Sequence, residues 1–354
     1  MLSPSDLHDI LSGRRRGPIA RILRGALALA ERPYGWAVWW RNRRFDRHPE
    51  RVDRVDAAVV SVGNLTLGGT GKTPMVEWLA RWFRAKGTRV AIVSRGYGAA
   101  AGAANDEARE LEQRLTDVPH VQTPDRLAGA AMVIEEFETE LILLDDAFQH
   151  RRIARDLDIV LIDATEPFGY GRLVPRGLLR EPPGALGRAH VVGLSRADMI
   201  PPERREAIRL EVARRAPAAL WIELRHAPRS LVDRRGREEP PSRFAPGPVA
   251  ALCGIGNPAG FRHTLAECGF SLSGFREFPD HHRYDREDVA RLEQWVATLD
   301  ATAVLCTEKD LVKLDLDDLA GRPLRALRVA LEITAGREEF ERVLSQVLPG
   351  KSAA

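Results

Sequence analysis

Residues 59–74 read Val59-Val60-Ser61-Val62-Gly63-Asn64-Leu65-Thr66-Leu67-Gly68-Gly69-Thr70-Gly71-Lys72-Thr73-Pro74. A short β-branched run leads into a glycine-rich turn, and the turn opens into an amphipathic segment at residues 75–83. This order of strand, loop and helix is the one that a phosphate-binding loop requires. Its glycines let the main chain approach an anion with the N–H groups pointing inward. The stretch predicts an α/β fold of the P-loop NTPase type, a mostly parallel sheet with helices on both faces.

The turn carries the residue types that hold a nucleotide phosphate. Lys72 supplies a mobile cation for the β- and γ-phosphates, and the hydroxyl of Thr73 suits Mg²⁺. The strict pattern has glycine five residues before Gly71, where this chain has Thr66. The alternative is a glycine-rich connector whose Lys-Thr pair is accidental, but the intact Gly-Lys-Thr between strand and helix favours a nucleotide site. The predicted phosphate-binding residues are Thr66, Leu67, Gly68, Gly69, Thr70, Gly71, Lys72 and Thr73.

Composition is that of an ordinary globular protein. The chain has 354 residues, 44% hydrophobic and 29% charged, with a formal net charge of +3. This length allows two cores. Neither a nucleic acid nor an obligate protein partner is expected. The three cysteines are odd in number and lack metal-type spacing, which indicates buried thiols in a reducing compartment.

Shifts in composition divide the chain into four parts. Residues 1–48 form a basic and aromatic N-terminal segment, and residues 49–230 the nucleotide-binding domain. Residues 231–247, rich in Arg, Glu, Pro and Gly, are expected to be a linker. A second, smaller α/β domain is expected at residues 248–354, where strand patterns at 248–253, 271–278 and 303–306 accompany helical ones.

The N-terminal segment predicts an amphipathic helix at a membrane surface. Its arginines argue against a bilayer span, since each central one costs about 2.5–3.5 kcal/mol. Clustered arginines beside aromatic residues are typical of a helix lying in an anionic headgroup layer. The alternative is a helix that packs its tryptophans on the protein core. The apolar face and aromatic residues are Ile19, Ile22, Leu23, Ala26, Leu27, Ala30, Trp36, Trp39 and Trp40.

Carboxylates follow two predicted buried strands. Asp145 and Asp146 end the apolar run at 141–144, and Asp163 ends the run at 157–162. Open α/β sheets bind ligands at the carboxyl ends of their strands, and a P-loop protein draws a Mg²⁺ partner from there. Either strand end could serve. We favour Asp145 and Asp146, because the polar residues Gln149 and His150 follow closely.

Two further polar stretches are candidates for substrate contacts or proton transfer. Residues 168–183 carry Arg172, Arg176, Arg180 and Glu181, which suit phosphates or a sugar; a solvated surface loop is the alternative. The neighbouring histidines of residues 281–282 are poor metal ligands, since adjacent histidines rarely share an ion. They are suited to proton transfer, because histidine titrates near working pH.

Taken together, these motifs resemble the lipid A 4′-kinase (tetraacyldisaccharide 4′-kinase) family of Gram-negative bacteria. The match runs from about Pro33 to Lys313. It includes Gly63-Asn64-Leu65-Thr66, Gly71-Lys72-Thr73-Pro74, Ser94-Arg95-Gly96-Tyr97-Gly98, Asp106-Glu107, Asp145-Asp146, Phe148-Gln149-His150, Leu179-Arg180-Glu181-Pro182, Gly254-Ile255-Gly256-Asn257-Pro258, Asp280-His281 and Thr307-Glu308-Lys309-Asp310. The chain departs from the family pattern at Asn105 and Ala147, where glycine is usual.

The resemblance implies transfer of the γ-phosphate of ATP to the 4′-hydroxyl of a tetraacylated glucosamine disaccharide 1-phosphate. The place implied is the cytoplasmic face of the bacterial inner membrane, with peripheral or monotopic attachment to its anionic surface. Asp106 and His281 fall on the catalytic pair, and Glu107 is expected to assist Mg²⁺ binding. The expected contacts to substrate or nucleotide are Tyr97, Gln149, His150, Arg180 and Glu181.

Two alternatives of other classes remain open at this point. One is a membrane-associated P-loop NTPase switch with no sugar acceptor, which needs a base-reading motif. Ser195-Arg196-Ala197-Asp198 is a poor one, because it lacks the Asn and Lys of the GTPase motif. The other is a nucleotide-binding scaffold without catalysis.

Overall fold

The computed structural model describes residues 9–96, 111–112, 114–280 and 282–348. The chain divides into two compact units, unit 1 (Met1–Arg225 and Ile333–Ala354) and unit 2 (His226–Glu332). The helices are α1 (Pro18–Arg47), α2 (Lys72–Ala85), α3 (Arg126–Phe137), α4 (Pro202–Arg215), α5 (Pro258–Glu267), α6 (Arg286–Ala297), α7 (Glu308–Leu314) and α8 (Arg337–Gln346). The strands are β1 (Ala58–Asn64), β2 (Val90–Ser94), β3 (His120–Gln122), β4 (Leu141–Asp145), β5 (Leu157–Asp163), β6 (Val191–Ser195), β7 (Leu220–Val232), β8 (Glu238–Glu239), β9 (Pro248–Cys253), β10 (Ser271–Glu277), β11 (Ala303–Cys306), β12 (Asp318–Leu319) and β13 (Arg322–Ala335).

Unit 1 is built on a parallel sheet in the order β7-β6-β5-β1-β4-β2-β3. β1 lies between β4 and β5, and Val62 is in register with Asp145. The apolar run of β4 is fully buried, as expected of a parallel strand covered on both faces. The sheet with packed helices confirms the predicted fold class. The carboxyl ends of β1, β4 and β5 therefore meet at one edge.

Helix α1 packs along unit 1 through a single stripe. Its 30 residues span about 45 Å. Ala20 and Val38 are buried, and the main-chain N–H of Leu173 donates to Glu31 Oε1 at 2.8 Å. Near its end, Arg151 donates to Asp46 Oδ1 at 2.7 Å. Within the described ranges, no helix has the length and hydropathy needed to cross a membrane.

Unit 2 has its own parallel strands, in the order β10-β9-β11-β13, with β12 antiparallel beside β13. Helix α6 buries Leu292 and Val296 against Val304 of β11 in one core cluster. A second cluster packs Phe261 and Leu265 of α5 against the sheet. Unit 2 thus has hydrophobic core clusters of its own.

The observed division differs from the expected domain boundaries. Residues 231–247, expected as a linker, contain β8, which pairs antiparallel with β7 inside unit 2. The C-terminal residues from Ile333 group with unit 1, because Phe340 of α8 is fully buried and stacks on Trp78 at 5.7 Å between ring centroids. Composition alone marked neither feature, since both depend on pairing between distant segments.

Candidate nucleotide-binding site

The loop between β1 and α2 has the backbone conformation of an anion site. Gly68 and Gly71 have φ values of 107° and 88°, which a residue with a side chain adopts only with strain. Gly71 is the N-cap of α2, so Lys72 is the first helical residue. The free N–H groups and positive dipole end of α2 point into the loop, where they favour a phosphate.

Three side chains outside the phosphate motif hold the loop in shape. Asn64 Nδ2 donates to Thr70 Oγ1 at 3.0 Å and to the carbonyl of Gly68 at 3.4 Å. Gln149 Nε2 donates to the carbonyl of Asn64 at 2.8 Å. Arg196 Nη2 donates to the carbonyl of Gly69 at 2.8 Å and forms an ion pair with Asp163. The loop is therefore braced from both neighbouring strand ends.

Thr66, the departure from the strict pattern, lies in a small ladder. We call residues 178–181 the strap. Thr66 forms an antiparallel bridge with Leu179 of the strap, and it is 5% exposed. The N–H of Leu67 donates to the carbonyl of Leu178, and the N–H of Arg180 to the carbonyl of Leu65, both at 2.7 Å. Because position 66 is paired, extended backbone, it does not need glycine.

Lys72 and Arg180 converge on Asp146. Arg180 Nη1 donates to both carboxylate oxygens of Asp146, at 2.8 and 2.9 Å. Lys72 Nζ lies 3.7 Å from Asp146 Oδ1. Burial acts to raise the pKa of Asp146, but Lys72 and Arg180 outweigh it and hold that pKa below its usual value. Asp146 is consequently ionised at working pH.

The loop and the aspartate pair are fixed to each other by close packing. A Cβ on Gly63 would lie 2.5 Å from Cβ of Phe148, so no larger residue fits there. The N–H of Ala147 donates to the carbonyl of Val62 at 3.3 Å. Ala147 is fully buried with a negative φ, so alanine fits where the family usually has glycine.

The donor set fits Mg²⁺, which prefers hard oxygen ligands. The Thr73 hydroxyl and the carboxylates of Asp145 and Asp146 supply such oxygens, and Asp145 is 6% exposed at the end of β4. Asp163, the alternative source, accepts from Arg196 and from the hydroxyl of Thr165 at 2.7 Å. Both oxygens of Asp146 also accept from Arg180, so these contacts do not distinguish the pair after β4 from Asp163.

Of the residues expected to contact substrate, Gln149 and Glu181 have structural partners. Gln149 braces Asn64, as described above. Glu181 is fully buried between Arg41 of α1 and Arg188, whose Nη2 donates to Glu181 Oε2 at 2.6 Å. The neighbouring residue Arg180, also expected to contact substrate, reaches Asp146 instead.

The environment of His150 favours the neutral form of its imidazole ring. Burial, assisted by Arg126 and Arg155, lowers the pKa of His150 to about 4. Arg126, itself 4% exposed, donates to the carbonyls of Asp145 and Asp146 at 3.4 and 3.3 Å. Sequence reasoning assigned neither Arg126 nor Arg196 to this site, because no local pattern encodes their contacts with Asp145, Asp146 and Gly69.

Four predicted residues, Tyr97, Asp106, Glu107 and His281, lie outside the described residues. The other member of the histidine pair has a local structural role. His282 Nε2 lies 2.8 Å from Asp288 Oδ2, and its ring stacks on Phe278 at 4.8 Å between centroids. Asp288 in turn completes the capping box at the start of α6.

Comparisons with known proteins point in one direction. A family model described as tetraacyldisaccharide-1-P 4′-kinase (LpxK) matches residues 23–349. The tetraacyldisaccharide 4′-kinase of Anaeromyxobacter dehalogenans (strain 2CP-C) is 42% identical over 360 residues, which cover 96% of this chain and 95% of the relative. That of Syntrophus aciditrophicus (strain SB) is 34% identical over 340 residues, covering 89% and 90%. The crystal structure of LpxK from Aquifex aeolicus in complex with ATP matches with a TM-score of 0.71 at 26% identity, covering 92% of this chain and 99% of that one.

Proposed function

The chain belongs to the tetraacyldisaccharide-1-P 4′-kinase family, and we propose that it transfers the γ-phosphate of ATP to the 4′-hydroxyl of a tetraacylated glucosamine disaccharide 1-phosphate. The observation that carries the proposal is the braced loop with Lys72 and Arg180 both directed at Asp146. Two cations and one ionised carboxylate at the start of a helix suit a transferring phosphoryl group.

Phosphoryl transfer needs positioning and neutralisation of charge more than covalent chemistry. We assign the phosphates to the loop N–H groups and to Lys72. The oxygens of Thr73, Asp145 and Asp146 would hold Mg²⁺, with Glu107 as an additional ligand. When bound, the ion neutralises phosphate charge. Arg180, held against Asp146, is positioned to meet a phosphate or the sugar.

The acceptor hydroxyl needs a base, and the family resemblance assigns that role to Asp106. His281 would hydrogen-bond to Asp106, orient it and tune its pKa. General-base catalysis contributes typically about 10²–10⁴-fold. Tyr97 and His150 are assigned to contacts with substrate or nucleotide. For Glu181 we propose a structural role instead, because its carboxylate is fully buried between two arginines.

The exposed face of α1 supports attachment to the anionic cytoplasmic face of the inner membrane. Trp36, Trp39 and Trp40 are 67%, 51% and 52% exposed, which argues against the alternative of core packing. Leu23 and Leu27, expected on the apolar face, are half-buried on the protein side. The exposed apolar stripe consists of Ile19, Ile22, Ala26, Leu29, Pro33, Trp36 and Trp40. An acceptor with four acyl chains leaves the bilayer at a cost of about 0.8 kcal/mol per CH₂, so the enzyme must reach it there.

The test is an assay with γ-labelled ATP and the acylated disaccharide 1-phosphate in mixed micelles. We expect a labelled lipid with the wild-type protein and a loss of about 10²–10⁴-fold in Asp106→Ala and His281→Ala. Failure of the wild type to label the lipid would refute the kinase proposal. Labelling at the wild-type rate by both variants would refute the assignment of the catalytic pair. Rapid ATP hydrolysis without lipid acceptor would favour the NTPase switch.

A further inference from the structure

Helix α1 contacts the strap directly, in addition to exposing its apolar stripe. The hydroxyl of Tyr34 donates to the carbonyl of Arg180 at 3.0 Å. Seven residues later, on the same side of the helix, Arg41 forms an ion pair with Glu181. Burial raises the pKa of Tyr34, so its hydroxyl stays a hydrogen-bond donor at working pH. Two consecutive residues of the strap are thus fastened by one helix.

The strap in turn contacts the phosphate loop and the aspartate pair. Its main chain pairs with Leu65 and Leu67, and the Arg180 side chain reaches Asp146. A second route runs through Glu181 to Arg188, whose guanidinium lies 4.4 Å from the centroid of the Phe148 ring. Phe148 is the residue that packs against Gly63 in β1. Contacts therefore lead from α1 to both sides of the loop.

We propose that Tyr34 and Arg41 are positioning residues for the nucleotide site, so that α1 shapes ATP binding in addition to attaching the protein to a membrane. The two side chains act through the strap, which sets Arg180 and the first half of the loop. The inference rests on the proposed function only in its use of ATP. It is independent of which acceptor receives the phosphate.

Because Glu181 is buried between two arginines, we expect the replacement of Arg41 to have a large effect on the strap. Glu181 is fully buried, and its carboxylate accepts from Arg41 and Arg188. Removing one partner of a buried ion pair leaves a charge that is incompletely compensated. We expect the strap to shift when Arg41 is replaced, and Arg180 to move away from Asp146.

The experiment measures ATP affinity of the full-length protein in detergent micelles, without membrane or acceptor, at a temperature where all variants are folded. We expect Arg41→Met to weaken ATP binding at least about tenfold and Tyr34→Phe about threefold. The matched control is Arg47→Met, which removes an exposed arginine from the same helix and should leave the affinity unchanged. In Arg41→Met/Glu181→Gln, most of the affinity should return, because the uncompensated carboxylate is gone.

Wild-type affinity in both Arg41→Met and Tyr34→Phe would overturn the inference, as would an equal loss in Arg47→Met. A double variant as weak as Arg41→Met would refute the route through Glu181. If Arg41→Met does not fold, Tyr34→Phe decides, because it removes only a hydroxyl. A merely structural role would lower thermal stability and leave ATP affinity intact. Normal ATP binding by a wild type that phosphorylates no acylated disaccharide would refute the proposed function and leave this inference standing.

Discussion

At the scale of single residues, the site is organised by charge neutralisation around Asp146. Its carboxylate balances Lys72 and Arg180, two cations that would otherwise repel each other in a partly buried space. Asp146 directly follows β4, and its positive φ of 49° turns its side chain away from the direction that an extended strand would give it. One residue thus fixes the direction of both cations.

Replacing Asp146 should therefore disable transfer more than nucleotide binding. In Asp146→Asn we expect the transfer rate to fall about 10²–10³-fold, the scale of losing one electrostatic contact in an active site. ATP affinity measured without added magnesium should change less, because the loop and Lys72 remain. Steady-state kinetics and equilibrium binding check this. Asp117→Asn, which removes an exposed carboxylate paired with Arg84, is the control. Full activity of Asp146→Asn would contradict the assigned role.

His120 gives unit 1 a predicted pH dependence. Its Nε2 lies 2.8 Å from Ser94 Oγ, and burial lowers its pKa from 6.5 to about 4. Between these values the unfolded chain binds more protons than the folded one, so stability is full above pH 6.5 and declines toward pH 4. We expect the thermal midpoint to follow this course, with a weaker decline in His120→Gln. An unchanged slope in that variant would refute the prediction; His48→Gln, at an exposed site, is the control.

At the scale of elements, locally encoded features could be predicted from the sequence. The buried strands β1, β4 and β5 show continuous apolar runs, and the loop and carboxylate pair follow directly in the chain. Strands β7 and β13 were not predicted, since their residues alternate irregularly between buried and exposed. The Arg41–Glu181 and Arg196–Gly69 contacts join residues over a hundred positions apart. No local pattern encodes such contacts. The roles of Tyr97, Asp106, Glu107 and His281, which lie outside the described residues, stay predictions.

The apolar stripe of α1 can be tested without touching the nucleotide site. Leu29 is 65% exposed, and burying a leucine in an apolar phase contributes about 1.5–3 kcal/mol. Leu29→Ser should weaken the affinity for anionic phospholipid vesicles, measured by co-sedimentation, about 10–100-fold. Leu210→Ser, at a 46% exposed leucine of α4, should leave it unchanged. Equal vesicle binding by Leu29→Ser and wild type would refute the membrane face.

At the scale of the whole molecule, the two units have separate hydrophobic cores. Leu194 belongs to the core on the nucleotide-binding sheet, and Leu292 to that of unit 2. The phosphate loop lies wholly in unit 1. Binding to one folded unit raises the stability of that unit by mass action.

Thermal unfolding should accordingly occur in two transitions. We expect Leu194→Ala to lower the free energy of unfolding of one transition and Leu292→Ala that of the other. Each loss should be about 2–5 kcal/mol, the usual cost of truncating a buried leucine. ATP at 100 times its dissociation constant should raise the free energy of unfolding by about 2.7 kcal/mol, and only for the transition that Leu194→Ala affects. Scanning calorimetry measures both effects. A single transition lowered by both variants would show that the units unfold together.

The ladder between Thr66 and Leu179 has a consequence for the kinetics of hydrogen exchange. The amide protons of Leu67 and Arg180 are held in 2.7 Å hydrogen bonds by protein alone, whereas Gly68 and Gly69 are exposed. Without nucleotide, the first two amides should exchange slowly and the two glycine amides quickly, with ATP slowing only the latter. Mass spectrometry of peptides spanning the loop would detect this split, and uniform fast exchange would contradict it. The amide protons of Leu67 and Arg180 are thus protected before the nucleotide binds, and the glycine amides are the ones that the phosphates would protect.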